Sequence, residues 1–127
     1  MAVVWTVKQY GTVVDDFRRD CDEGTWNAVL QAFSVLREKG TLCGPSVAKK
    51  LRGGDGIWEL LAGYKNSEPR LLFYFSKNVR GLMIFVCAFI KKSSSDYKPA
   101  IRLARQRRAL IEQERAVPHD LKFSRVN

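Results

Sequence analysis

The sequence predicts an α+β fold: a compact antiparallel β-sheet with an N-terminal helical segment and a C-terminal helix packed beside it. Three features point there. Residues 57–91 hold three apolar runs, rich in aromatic and branched side chains, separated by polar segments of hairpin length. Residues 25–39 and 97–115 instead repeat their apolar positions at helical spacing. The chain has 127 residues and is 46% hydrophobic, which suffices for one core and is too short for two. Residues 1–117 therefore read as a single domain and 118–127 as a polar tail, loosely held.

Taken in order, Val3 to Lys8 alternates and is rich in β-branched residues, as a first strand would be. Asp15 to Cys21 suits a short helix. Thr25 is placed to cap a longer one through Val29, Ala32, Phe33 and Leu36, which Gly40 ends. From Thr41 to Gly56 the glycines, Pro45 and interspersed Lys49, Lys50 and Arg52 predict a basic loop. Strands then follow at Ile57–Tyr64, Arg70–Lys77 and Leu82–Lys91, the last apolar on both faces as if covered twice. Ser93 to Asp96 signals a helix start, and Pro99 falls in the first turn of a helix over 97–115.

The chain carries 22 Lys and Arg against 13 Asp and Glu, a formal charge of +9, which favours a polyanionic partner. Residues 1–48 contribute five basic and six acidic side chains; the remainder carries seventeen basic and seven acidic. The basic part thus begins after Ala48. Leu82–Ile90 is too short to span a bilayer, and the Met1–Trp5 start lacks the basic segment of a secretory signal, so a cytoplasmic protein without membrane attachment is expected. Cys21, Cys43 and Cys87 lack CxxC spacing and read as reduced, buried thiols.

Four-residue loops at 65–68 and 78–81 would set Glu59 opposite Tyr74, Gly63 opposite Arg70, Tyr74 opposite Phe85 and Arg70 opposite Phe89. Glu59, Arg70, Tyr74, Phe89 and Lys91 then share one sheet face. Trp58, Leu60, Leu71, Phe73, Phe75, Ile84 and Val86 form the core on the other. The polar face is either a solvated surface or a set able to grip phosphate, stack a base and move protons. On the last helix, Arg107 and Arg108 fall within the apolar half-circle. Either their stems pack while the guanidinium groups escape at its edge, or they reach phosphate in a groove beside the sheet.

Gly40-Thr41-Leu42, Pro45, Lys49, Leu51 and the run Gly-Gly-Asp-Gly-Ile-Trp-Glu-Leu at 53–60 resemble the entry to the central sheet of HigB-like toxins of the RelE/ParE superfamily. Arg70-Leu-Leu-Phe-Tyr-Phe matches that branch's Arg-x-x-x-Tyr-Phe strand. Phe89-Ile-Lys-Lys-Ser, with Ile101, Ala104 and Arg108, resembles its Phe-x-Lys-Lys-Thr strand end and final helix. The resemblance implies the toxin of a type II toxin–antitoxin system, an mRNA interferase that drives a 2′-hydroxyl onto the adjacent phosphate on the ribosome. That chemistry uses no metal or other cofactor; it needs a base, cations for the phosphorane and an acid for the leaving oxygen.

Carried across on these matches, Arg70 grips the scissile phosphate, and Lys91 and Lys92 stabilise charge or serve as base. Glu59 is a base and Tyr74 or Tyr97 an acid; Phe89 stacks a base or packs. Lys49, Lys50, Arg52, Lys65, Arg107 and Arg108 are assigned to RNA binding. Two positions depart from the family pattern. Leu61 stands where the strand's Glu-Leu-Arg has arginine, with Lys65 or Arg107 as substitutes, and 93–97 replaces Thr-x-Lys-Thr-Pro. His119 lies beyond the match, which argues against a histidine mechanism. The implied partners are mRNA, the ribosome and a helix-turn-helix antitoxin. The alternatives are a gyrase-type poison of a protein target and a non-catalytic basic binding module.

Overall fold

A computed structural model describes residues 5–123; Val3 and Val4 of the expected first strand lie outside them. The elements are β1 (Thr6–Gln9), α1 (Val13–Asp20), α2 (Glu23–Lys39), β2 (Ala48–Lys50), β3 (Trp58–Leu61), β4 (Pro69–Phe75), β5 (Leu82–Ile90), α3 (Tyr97–Glu112) and β6 (His119–Asp120). The sheet has six strands in the order β2-β3-β4-β5-β1-β6. It is mostly antiparallel, but β1 runs parallel to β5, so the sheet is mixed rather than wholly antiparallel. The chain reaches β5 by way of three other strands and must then place β1 beside it.

Helices cover both faces. On one side Val14 of α1 and Trp26, Val29, Phe33 and Leu36 of α2 pack against Leu60, Leu71, Phe73, Met83 and Phe85. On the other, Ala100 and Ala104 of α3 meet Ile57, Leu72, Tyr74, Ile84, Val86 and Cys87. The small α3 side chains let that helix approach the strands closely. Among the described residues, no helix is long and apolar enough to cross a membrane.

Helix ends are fixed by more polar contacts than the sequence suggests. Asp22, rather than Thr25, caps α2, its Oδ1 accepting from Thr25 N at 2.7 Å; Thr25 sits buried inside the first turn. Gly40 ends α2 at φ 56°, and a side chain there would also meet the Trp5 indole. The start of α1 has no hydroxyl cap. Instead buried Gln9, from β1, accepts from Val14 N and Asp15 N at 3.1 and 3.3 Å and donates to Asp15 Oδ2 at 2.7 Å.

Four further expectations are corrected. Residues 41–56 include a 3-10 turn (Gly40–Leu42) and strand β2, because pairing with β3 satisfies the backbone of 48–50. α3 stops at Glu112, where the chain turns through Glu114 at φ 59°. The tail is held as far as the structure describes it: β6 pairs with β1, Leu121 is buried and Phe123 stacks on Phe33 at 3.7 Å.

The fourth correction concerns register. Tyr64 and Ser67 exchange hydrogen bonds around Lys65 and Asn66, a turn two residues tighter than expected, so Glu59 lies opposite Leu72 and Leu61 opposite Arg70. A shift of two preserves which face each side chain takes. Between β4 and β5 the register jumps at Leu72/Phe73, leaving Val86 as the extra residue of a bulge. Arg70 still faces Phe89, but Tyr74 faces Ile84, and Ile84 and Val86 turn to the α3 side while Met83 and Phe85 take the core positions opposite.

Gln9 provides a sharp test of this reading. Gln9→Leu should cost about 2 kcal/mol, because the buried Val14 N–H and the part-buried Asp15 N–H lose their acceptor, whereas Thr12→Ala should change stability by less than about 0.5 kcal/mol. Urea denaturation of both variants measures the difference.

Candidate active site

The face carrying the predicted site residues is not open. It lies beneath α3, so Glu59 is 2% exposed, Tyr74 4% and Arg70 8%. A buried guanidinium must find acceptors for its N–H groups. Arg70 donates from Nη1 to Pro69 O at 2.9 Å and Ala62 O at 3.0 Å, from Nη2 to Glu68 Oε1 at 3.1 Å, and from Nε to Tyr97 Oη at 3.1 Å. These contacts join the end of β3, the start of β4 and the first residue of α3. Leu61 lies directly across from Arg70. A second arginine at that position would put two like charges side by side.

Tyr97 is the centre of this cluster. Phe89 meets its ring edge-on at 5.7 Å, and Lys91 Nζ stands 5.6 Å over the ring. Burial raises the Tyr97 pKa, the adjacent Glu59 carboxylate raises it further, and the Arg70 hydrogen bond partly offsets both. Tyr97 is therefore a neutral phenol at physiological pH. Glu59 lies 4.0 Å from Lys49 Nζ through Oε1, while its buried Oε2 has no hydrogen-bond partner. Lys92 is exposed beside this group, and its backbone N–H donates to Asp96 Oδ2 at 2.7 Å within the turn that starts α3. That bond, with a second from Ser93 N, lowers the Asp96 pKa.

Other expected site residues lie elsewhere. Tyr74 is four residues along β4 from Arg70, a separation of about 13 Å. There its ring meets the Arg108 guanidinium at 6.0 Å, and its buried hydroxyl has no hydrogen-bond partner. Lys50 lies opposite Trp58, on the sheet face away from Glu59. Lys65 stands over the Tyr64 ring at 5.2 Å, and Tyr64 packs against Gly24 of α2. Arg107 donates to Val86 O at 2.8 Å and stacks over Tyr10 at 4.9 Å, taking up the carbonyl at the bulge. Neither Lys65 nor Arg107 substitutes beside Arg70 for the arginine replaced by Leu61. Arg108 bonds to the backbone and carboxylate of Asp55.

Arg52 lines an open groove of about 760 Å³ with Tyr97, Lys98, Arg102, Arg105 and Arg108. Sequence reasoning missed Glu68, an acidic partner of Arg70, and Asp55, which with Glu112 is an acidic partner of Arg108. Glu68 had a usable signal, two residues before Arg70 and hence on the same strand face. Asp55 had none, since its partners are on α3.

Tyr74 yields a pH test. Burial pushes its pKa up to about 12 from 10.0. The phenol stays neutral in the folded chain while the unfolded chain ionises, so stability falls as pH rises from about 10 to 12. Tyr74→Phe should remove that part of the alkaline loss and leave stability at pH 7 equal or slightly higher, as no hydrogen bond is lost. Thermal melts of both proteins across that range measure it.

No curated protein matches the chain. A family model described as phage-derived protein Gp49-like (DUF891) matches residues 16–109, from α1 through most of α3, and so includes the whole Arg70–Tyr97 cluster. With well over half its length matched, the chain belongs to the Gp49-like family, which is part of the RelE/ParE-like toxin group.

Proposed function

We propose that this protein is the toxin of a type II toxin–antitoxin system and, like HigB-type toxins, a ribosome-dependent mRNA endoribonuclease that works without metal. Its toxin family implies an antitoxin partner; a helix-turn-helix protein with an acidic surface would suit a chain of charge +9. The observation that carries the catalytic reading is Tyr97, a phenol set between a buried guanidinium and a buried carboxylate, with Lys91 above its ring.

Burial divides the roles. Glu59 is too enclosed to meet substrate, so it exchanges protons through Tyr97. In the proposed step, Glu59 takes the phenolic proton as Tyr97 takes that of the attacking 2′-hydroxyl. The 2′-oxygen bonds to phosphorus, the P–O5′ bond breaks, and Lys91 gives a proton to the departing 5′-oxygen. The products are a 2′,3′-cyclic phosphate and a free 5′-hydroxyl. Lys91, Lys92 and Lys49 supply positive charge for the phosphorane. Arg70 is a positioning residue, because four of its N–H donors are already directed at protein atoms and hold Tyr97 in place.

Induction in growing cells with mapping of mRNA 5′ ends tests this. The wild type should cut within translated frames. Tyr97→Phe should lower cutting by about 10²–10⁴-fold, the usual range for an acid–base group, and Tyr74→Phe should leave it within a few-fold. Arg70→Lys should fail nearly as badly as Arg70→Ala, since an ammonium cannot reproduce the forked contacts. Growth arrest with intact mRNA, or full cutting by Tyr97→Phe, would overturn the reading.

A further inference from the structure

The groove beside α3 is a second place where charge is concentrated. Lys98, Arg102 and Arg105 follow one another at about one turn, so their charges form a row about 5.4 Å apart along the helix. Arg52 and Arg108 face that row from the loop side and the inner edge, with Glu112 as the acidic lining residue. Ile101 and Ala109 supply apolar lining, and Tyr97 lies at one end. The groove is therefore continuous with the cluster described above.

One carboxylate reaches these cations from the loop. Asp55, at φ 53° between Gly54 and Gly56, places Oδ2 3.3 Å from Arg108 Nη2 and 3.8 Å from Arg105 Nη2. Its backbone carbonyl also accepts from Arg108 Nη1. Asp55 is 72% exposed at its side chain, so the ion pairs are in contact with water and weakly held.

We infer that the α3 groove binds the phosphodiester backbone of the RNA strand flanking the cleaved bond, and that Asp55 occupies the position of one phosphate until the strand displaces it. The occupant is nucleic acid rather than an acidic peptide because the cations are in a line, mostly guanidinium, and lead to Tyr97, an aromatic ring able to stack a base. The inference rests on the proposed endoribonuclease reading for the strand's path past Tyr97. Binding in the groove does not depend on cleavage.

The test uses a single strand of 2′-deoxy nucleotides, which lacks the attacking hydroxyl, so binding is read with no reaction. Asn tolerates the left-handed backbone at 55, so Asp55→Asn removes the charge and keeps the loop. It should bind several-fold more tightly than wild type at low salt. Arg102→Gln/Arg105→Gln should bind more weakly and reduce the slope of log K against log salt by about 1.4, from about 0.7 per lost contact. Arg37→Gln/Lys39→Gln, an equal charge loss on exposed α2 positions, should leave both nearly unchanged. Circular dichroism confirms that each variant is folded. The inference fails if the Asp55 and α3 variants match wild type, if the α2 control loses as much as the α3 pair, or if polyglutamate competes as well as the strand. Loss of mRNA cutting with these binding results intact would count against the endoribonuclease reading alone.

Discussion

A buried guanidinium with nowhere else to direct its donors organises this protein. Arg70 is 8% exposed, and leaving its N–H groups unpaired at that depth would cost several kcal/mol. The pairing is achieved only when three separate stretches arrive together: Ala62 after β3, Glu68 and Pro69 at the start of β4, and Tyr97 at the head of α3. The strand register and the helix position are thus tied to one side chain. The same contacts set the Tyr97 phenol beside Glu59. Fold stability and the placement of the proposed proton carrier have a common origin.

The basic residues divide by what they touch. Arg70, Arg107 and Arg108 have stems inside the structure and heads on backbone carbonyls, so each holds two elements together. Lys91 lies against an aromatic ring at the edge of the cluster. Lys98, Arg102 and Arg105 are exposed on the outer side of α3. Net charge alone cannot make this distinction. A charge of +9 predicts attraction to a polyanion, whereas burial identifies the cations whose loss would first affect folding.

Much of the architecture was legible in the sequence because periodicity reports which side chains share a face. Glu59, Arg70, Tyr74 and Phe89 do lie on one face, and a hairpin two residues tighter than expected left that intact. The bulge at Val86 was not legible: one extra residue reverses the faces of Met83–Phe85, and nothing in Leu82–Ile90 marks where it falls. Gln9 as the cap of α1 and Asp55 as the partner of Arg108 were hidden for a related reason, since both reach from another element. The covering of the polar face by α3 was the largest omission. Arg107 and Arg108 in the apolar half of that helix were its trace in the sequence, and both have buried stems with polar heads on the sheet or loop.

The two ends of α3 are held by contacts of unequal durability. At the head, Arg70 is buried and Tyr97 half-buried, so water and salt compete less with their hydrogen bond than with an exposed ion pair. Toward the tail, Asp55 is exposed, and an ion pair there contributes about 0–1 kcal/mol, less as salt rises. Ala100 and Ala104 keep the middle of the helix tight on the sheet, so an incoming polyanion has little means of shifting α3. What can give way is the loop, whose glycines flank Asp55 and impose little resistance to a change of backbone angle. A backbone phosphate matches one carboxylate in charge and meets a guanidinium in the same forked geometry, but a strand brings several phosphates to the row of cations where Asp55 brings one carboxylate. Competition at this end therefore favours the strand, while the end that holds Tyr97 stays fixed.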